Sequence, residues 1–208
     1  DLLGKSPVEI FELFLDEDLL SEICKESVTY PTQKNVHDSS LSTNCLRNFI
    51  GILLFSGYHR LPSERHYWSV SEDLETPIIR TTMPRNRFLS IKRFLHFVDN
   101  ENAENYKDDK GFKIRPLADA LNQKFKQFGI FSKRLSVDEQ IVRYYGRSSL
   151  KQFIRGKPIR FGFKQWVPCC AASGYCFGMD LYQGKQKNPT SNTKNDDKKN
   201  TFLVWSFF

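Results

Sequence analysis

LSVDEQIVRYYGRSSLKQFIRGKPIRFGFKQWV, residues 135–167, is the stretch on which the architecture turns. From Leu135 to Tyr145 the period is two, and Val137, Ile141, Val142, Tyr144 and Tyr145 are β-branched or aromatic, so the run reads as a strand. Phe161 to Cys170 reads as a second. Pro168 inside it predicts an edge position or a bulge, because proline has no N–H for a ladder. Ala172-Ser173-Gly174 reads as a hairpin turn and Tyr175 to Tyr182 as a third strand. Together they predict an antiparallel meander with a basic connection between its first two strands.

Upstream the period is that of a helix. Ser6-Pro7-Val8-Glu9 combines a capping box with proline in the first turn, and Val8, Phe11, Phe14, Leu15, Leu19 and Ile23 follow at helical spacing. A second helix starts from Ser42 or Asn44 as cap, with Leu46, Phe49, Ile50, Leu53 and Leu54 as its stripe, and stops near Gly57. Ser63 caps a short helix, Pro84 opens another that carries Phe88, Ile91 and Phe94, and a polar link runs from Asp99 to Lys113. Leu117, Leu121, Phe125 and Phe128 mark a last helix, ended by Gly129. The predicted class is α+β: a helical region over 1–130, a sheet region over 131–184, and a polar low-complexity tail over 185–208 that ends in the apolar TFLVWSFF.

The chain has 208 residues, enough for one full domain or two small ones. No apolar run of about 18 residues exists, so no membrane helix is predicted, and no signal-peptide pattern opens the chain. The 18 Phe and 3 Trp argue against global disorder. Five cysteines, Cys24, Cys45, Cys169, Cys170 and Cys176, form an odd, uneven set that predicts reduced thiols in the cytosol or nucleus. Asp1 in place of a methionine predicts a fragment or processed product.

A net charge of +7 hides an asymmetry. Acids dominate residues 1–30, whereas between Ile141 and Met179 there is no acid at all. That stretch carries Arg143, Arg147, Lys151, Arg155, Lys157, Arg160 and Lys164, interleaved with Tyr144, Tyr145, Phe153 and Phe161. Unneutralised cations of this kind suit phosphate, because each one releases condensed counterions on binding. Arg85, Arg87, Lys92 and Arg93 form a second cluster, read as an exposed helix face. The four histidines do not stand at metal spacing with the cysteines, and Cys169-Cys170 with Cys176 lacks a CxxC pair, so no zinc site is predicted.

Several segments together resemble one family. They are FIGILLFSGYHRLPSERHYW at 49–68, MPRNRFLSIKRFLHFVDN at 83–100, KIRPLADALNQKF at 113–125, the stretch at 135–167, and GYCFGMDLYQGK at 174–185. In content and order these resemble piggyBac transposases and the host proteins derived from them, over about residues 5–185. The resemblance implies a helical dimerisation and DNA-binding region leading into an RNase H-like catalytic domain. It also implies Mg²⁺ or Mn²⁺ held by acidic residues, double-stranded DNA as partner, a homodimer or a related transposase as a further partner, and the nucleus as location.

Asp138 matches the first acid of that catalytic set. A two-metal site needs several carboxylates to fix two hard cations about 3.5–4 Å apart, and one cannot do it. No segment matches the second and third acids, and only Asp196 and Asp197 remain beyond Lys185. Glu139 points to the opposite strand face. Asp180 is a carboxylate that could approach Asp138 across the hairpin sheet, although the resemblance does not imply it. The expectation is therefore a truncated, transposase-derived DNA-binding protein without strand cleavage, one sheet face of which is exposed. TFLVWSFF is read either as a strand filling that sheet or as the product of a frame change or read-through. The alternatives are a metal-dependent strand-transfer enzyme whole only in a longer form, and a dimerising module that modulates related transposases.

Overall fold

In the first 24 residues the capping chemistry cuts the helical stripe in two. Ser6 Oγ accepts from the Glu9 N–H at 3.2 Å and Glu9 Oε2 accepts from the Ser6 N–H at 2.7 Å, which completes a capping box on α1, Pro7–Glu12. Asp16 Oδ1 then accepts from the Leu19 N–H at 3.0 Å and starts α2, Glu17–Gln33. The single helix expected from Val8 to Ile23 is thus a short helix and a long one. The computed structural model describes residues 2–36, 40–130 and 133–184. The polar tail with TFLVWSFF, the acids Asp196 and Asp197, and His37 lie outside the described residues.

By its contacts the chain divides into two units, Asp1–Glu104 and Asn105–Phe208. The first is helical. Ser42 caps α3, Thr43–Tyr58, by accepting from the Cys45 N–H at 3.2 Å. A 3-10 turn at Glu64–Trp68 follows, then α4, Pro77–Thr82, which periodicity does not reveal, and α5, Arg85–Phe94. Leu20 of α2, Leu46 and Phe49 of α3, and Phe88 and Ile91 of α5 are buried together as the core. Phe49 and Phe88 stand 4.9 Å apart by ring centroid, Trp68 lies 5.1 Å from Phe88, and its Nε1 donates to the Met83 carbonyl at 2.7 Å. Ser27, buried on α2, accepts from the His96 N–H at 3.0 Å and donates to the His96 carbonyl at 3.2 Å, which ties the exit of α5 to α2.

The second unit sets α6, Arg115–Phe128, with the strands, although its helical period groups it with the preceding region. The sheet is antiparallel and four-stranded: β1 Leu135–Arg143, β2 Lys151–Phe153, β3 Phe161–Cys170 and β4 Asp180–Leu181. β3 lies between β1 on one side and β2 and β4 on the other. Two expectations change here. The basic connection contains a strand, β2, and the third strand predicted over Tyr175–Tyr182 is reduced to β4 and a lone bridge between Cys169 and Cys176.

Pro168 is not on an edge strand. Its carbonyl accepts from the Phe177 N–H at 2.9 Å, so its missing N–H also points to that side, where regular pairing has lapsed. The ladder to β1 loses nothing. α6 docks on the chain that follows β3. Tyr175 donates its hydroxyl to the Phe125 carbonyl at 3.0 Å, and the Asn122 side chain pairs with the Met179 backbone at 2.9 and 2.8 Å. Among the described residues no helix is long and apolar enough to cross a membrane.

Candidate nucleic-acid interface

Register fixes which side chains share a face. Asp138 stands opposite Val167, Gln140 opposite Gln165, and Val142 opposite Phe163, so these line one face. Glu139 stands opposite Trp166, and Trp166 stands opposite Asp180 on its other side. Glu139 therefore leaves the strand on the face opposite to Asp138, as alternation requires, although both carboxylates reach the Lys157 ammonium. Asp180 shares the face of Glu139, so the approach of Asp180 to Asp138 does not occur. Along β1 the Asp138 face is open to solvent: Ser136, Asp138, Gln140 and Val142 are all exposed.

Asp138 itself is 74% exposed, accepts from the Glu139 N–H at 2.7 Å, and has Lys157 Nζ at 3.9 Å. The same Nζ lies 3.7 Å from Glu139 Oε1. Among the described residues no group of three or more His, Cys, Asp or Glu converges where a cation would sit. Two carboxylates that share one lysine ammonium do not fit a two-metal centre, whose cations need several oxygen ligands each and no cation between them.

Carboxylates do gather at Asp109 and Asp180, but their counter-charge is a guanidinium. Arg115 donates to Asp109 through Nε at 2.9 Å and Nη2 at 2.8 Å, and its Nη1 lies 4.0 Å from Asp180. Gln183 Nε2 at 2.6 Å and the Gly111 N–H at 2.9 Å complete the shell of Asp109 Oδ1. The Arg115 guanidinium holds the Asp109 carboxyl below the ordinary aspartate range, against a smaller opposing effect of burial. Burial pushes the Asp180 carboxyl up; Arg115 opposes this, and Asp109 and Asp119 add to it. This polar knot carries no sequence motif, because its members are separated by up to 74 positions.

The seven cations of the basic stretch divide into two groups. Lys164 Nζ sits 4.0 Å from the Trp166 ring centroid and 5.4 Å from that of Tyr182, so its charge is already met by two aromatic faces. Lys151 Nζ donates to the Gly146 carbonyl at 2.9 Å, and Lys157 is held beside Asp138 and Glu139. Arg143, Arg147, Arg155 and Arg160 are exposed and have no ion-pair partner among the described residues.

These four arginines gather at one end of the sheet. Arg143 closes β1 opposite Gly162, Arg147 is in the β1–β2 loop, and Arg155 and Arg160 flank the β2–β3 loop, whose turn uses Gly156 at φ +88°. Exposed rings stand among them. Phe153 and Phe161 pair across β2 and β3 at 4.9 Å, at 58% and 51% exposure, and Tyr145 is 82% exposed. Gly162 is needed at this end, since a Cβ there would meet the Val142 carbonyl oxygen at 2.1 Å. The second cluster lies on helix α5, and three of its members are occupied: Lys92 pairs with Glu64, Arg87 donates to the Ser40 carbonyl, and Arg93 lies 5.1 Å from the Phe94 ring centroid.

A family profile described as Transposase IS4 matches residues 6–207, which extends past Lys185, where the resemblance was expected to end. The chain is 40% identical over 195 residues to human PiggyBac transposable element-derived protein 3, covering 93% of this chain and 31% of that protein. Against human PiggyBac transposable element-derived protein 2 the identity is 37% over 180 residues, covering 86% and 30%. The chain therefore spans about a third of the length of these relatives. A cryo-EM structure of the piggyBac transposase synaptic complex with hairpin DNA superposes at a TM-score of 0.81 with 20% identity, covering 97% of this chain and 42% of that one.

Proposed function

The chain belongs to the IS4/piggyBac-type transposase family, and on that premise we propose that it is a transposase-derived protein that binds double-stranded DNA with little sequence preference. The observation that carries the reading is the set of four exposed arginines, Arg143, Arg147, Arg155 and Arg160, unpaired among the described residues at one end of a sheet. Phosphate contacts position a protein on a duplex, whereas base-edge contacts specify sequence, and a bare arginine cluster supplies the first kind. Exposed Phe153, Phe161 and Tyr145 offer stacking surfaces beside it. The solved neighbour is a complex with hairpin DNA, which supports DNA as the partner. With DNA as the proposed partner, the nucleus is the proposed location.

Strand cleavage is not part of this reading for the 208 residues, because Asp138 belongs to no group of three or more His, Cys, Asp or Glu side chains among the described ones, and the carboxylate beside it, Glu139, shares the Lys157 ammonium with it. The test is fluorescence anisotropy with two duplexes of unrelated sequence. Similar affinity for both, lost in the Arg143→Gln/Arg155→Gln/Arg160→Gln variant, is the expected result. Binding that survives the triple substitution overturns the reading. Nicking of supercoiled DNA with Mg²⁺ that Asp138→Asn abolishes would show a strand-cleaving enzyme instead.

A second reading, pairing with another copy or a related transposase, is favoured by an apolar groove of about 410 Å³ between α1 and α3, lined by Val8, Phe11, Leu15, Ile50 and Leu54. Val8 and Leu54 are 65% and 55% exposed there. Light scattering of the full chain tests it: a strict monomer at high concentration removes self-pairing, and Leu54→Glu lowers the mass of any dimer formed through this groove.

A further inference from the structure

The turn that follows β3 holds two thiols in an arrangement that the DNA-binding reading does not use. The Cys170 N–H donates to the Tyr175 carbonyl at 2.8 Å, and the Phe177 N–H donates to the Pro168 carbonyl at 2.9 Å. These bonds bracket Cys169 and Cys176, which face each other across an isolated antiparallel bridge. Bonds displaced one residue to either side mark the non-hydrogen-bonded type of pair, in which Cα atoms approach to about 4.5 Å and side chains are closest. A disulfide needs Cα atoms about 4.4–6.8 Å apart and Cβ atoms aimed at each other, and directly opposite residues on one sheet face meet both conditions.

The neighbouring thiol does not compete on geometry. Alternation sends Cys170 to the other face, where it is 5% exposed and its Sγ accepts from the Ser173 N–H at 3.4 Å. Cys169 and Cys176 are only partly buried, and each is a free thiol. The Cys176 Sγ donates to the Gly178 carbonyl at 3.1 Å, and the Cys169 thiol lies within hydrogen-bonding reach of it. Burial pushes the Cys176 thiol up, and Cys169 beside it adds to that, so Cys176 is held as a neutral thiol against its partner.

We propose that Cys169 and Cys176 form an oxidation site that takes a hydroperoxide and yields a cross-strand disulfide. One sulfur attacks the peroxide, so that the O–O bond breaks, an S–O bond forms, and with hydrogen peroxide one water leaves. The facing thiol attacks the resulting sulfenic sulfur, the S–O bond breaks, the S–S bond forms, and its proton leaves with the second water. The two thiols lose two electrons and the peroxide gains them. The bond ties β3 to the segment through which Tyr175 and Met179 hold α6.

The experiment treats the full, native 208-residue chain with hydrogen peroxide, blocks remaining thiols with N-ethylmaleimide, and maps the digest by mass spectrometry. Cleavage after Tyr175 separates Cys176 from Cys169 and Cys170. The expected product is two hydrogens lighter, with the two peptides joined. The link disappears in Cys169→Ser and in Cys176→Ser and persists in Cys170→Ser. A link that survives Cys169→Ser, a link that Cys170→Ser removes, a link between Cys24 and Cys45 instead, or unchanged thiols would each overturn the proposal. Because the wild-type map reads the bond directly, an unfolded variant does not rescue the idea.

Discussion

Arg115→Met keeps an aliphatic stem and removes the guanidinium at the centre of the Asp109 knot. Asp109 loses two hydrogen bonds, at 2.9 and 2.8 Å, and keeps the Gly111 N–H and the Gln183 amide at 2.9 and 2.6 Å. The pair is neither at the surface nor sealed, with 36% of the Arg115 side chain and 25% of Asp109 exposed. Exposed pairs contribute about 0–1 kcal/mol and broken buried ones cost about 3–5, so a loss of about 1–2 kcal/mol at neutral pH is expected. Asp109 is depressed in the folded protein, so its contribution is present above the unfolded pKa and is lost as pH falls through the folded one. Asp180 is raised, so its own contribution runs the other way: full below the unfolded pKa and lost as pH rises through the folded one. Arg115 offsets part of that neutral-pH penalty. Both effects make the deficit of the variant largest at neutral pH and smaller in acid, once the carboxylates are protonated. Urea unfolding at several pH values gives the deficit, and a double-mutant cycle with Asp109→Asn isolates the pair. Amide exchange at Lys110 and Gly111, which donate to Gln183 Oε1 and Asp109 Oδ1, reads the knot locally and should speed up. A deficit unchanged in acid, or exchange unchanged at both amides, refutes the electrostatic account and leaves only packing of the stem.

Phe49→Ala empties the centre of the helical unit, where Phe49 is 2% exposed and packs on Phe88, and should cost about 3–5 kcal/mol in urea unfolding. Ser42→Ala removes the acceptor for the Cys45 N–H and should cost about 1 kcal/mol in the same assay. Gly162→Ala places a Cβ against the Val142 backbone, which no side-chain rotation relieves, and should destabilise the sheet unit by about 1–3 kcal/mol or more. Exchange of the β1 and β3 amides near Arg143 reports the last directly, and unchanged protection there would refute the close approach.

Local signals carried much of the fold. The capping box at Ser6, the cap at Ser42, and β3 from Phe161 to Cys170 all stand where short-range chemistry puts them. What periodicity cannot see is competition between neighbouring signals. Asp16 restarts a helix in the middle of an apolar stripe, because a side-chain cap outbids continuity. β2 is only three residues long and owes its pairing to β3, so no local pattern announces it. Pro168 predicted an edge or a bulge because proline statistics cannot tell which side of a strand lacks its N–H. For the site, the basic stretch was legible as a charge run, but its division was not. Whether Lys164 lies over Trp166 and Tyr182 or reaches solvent depends on strand register, which places β4 beside β3. The parting of Asp138 from Asp180 follows from the same register.

The salt dependence of DNA binding tests the central claim most directly. Four unpaired arginines that each neutralise one phosphate predict a slope of log K against log salt of about −3.6 for duplex DNA, roughly −0.9 for each. In the Arg143→Gln/Arg155→Gln/Arg160→Gln variant one arginine of the four remains, and the slope should fall to about −0.9. Measured by anisotropy between 50 and 200 mM salt, the wild-type affinity should drop on the order of 100-fold. A wild-type slope near zero, or a slope that the triple variant leaves unchanged, contradicts the assignment of this end of the sheet to DNA.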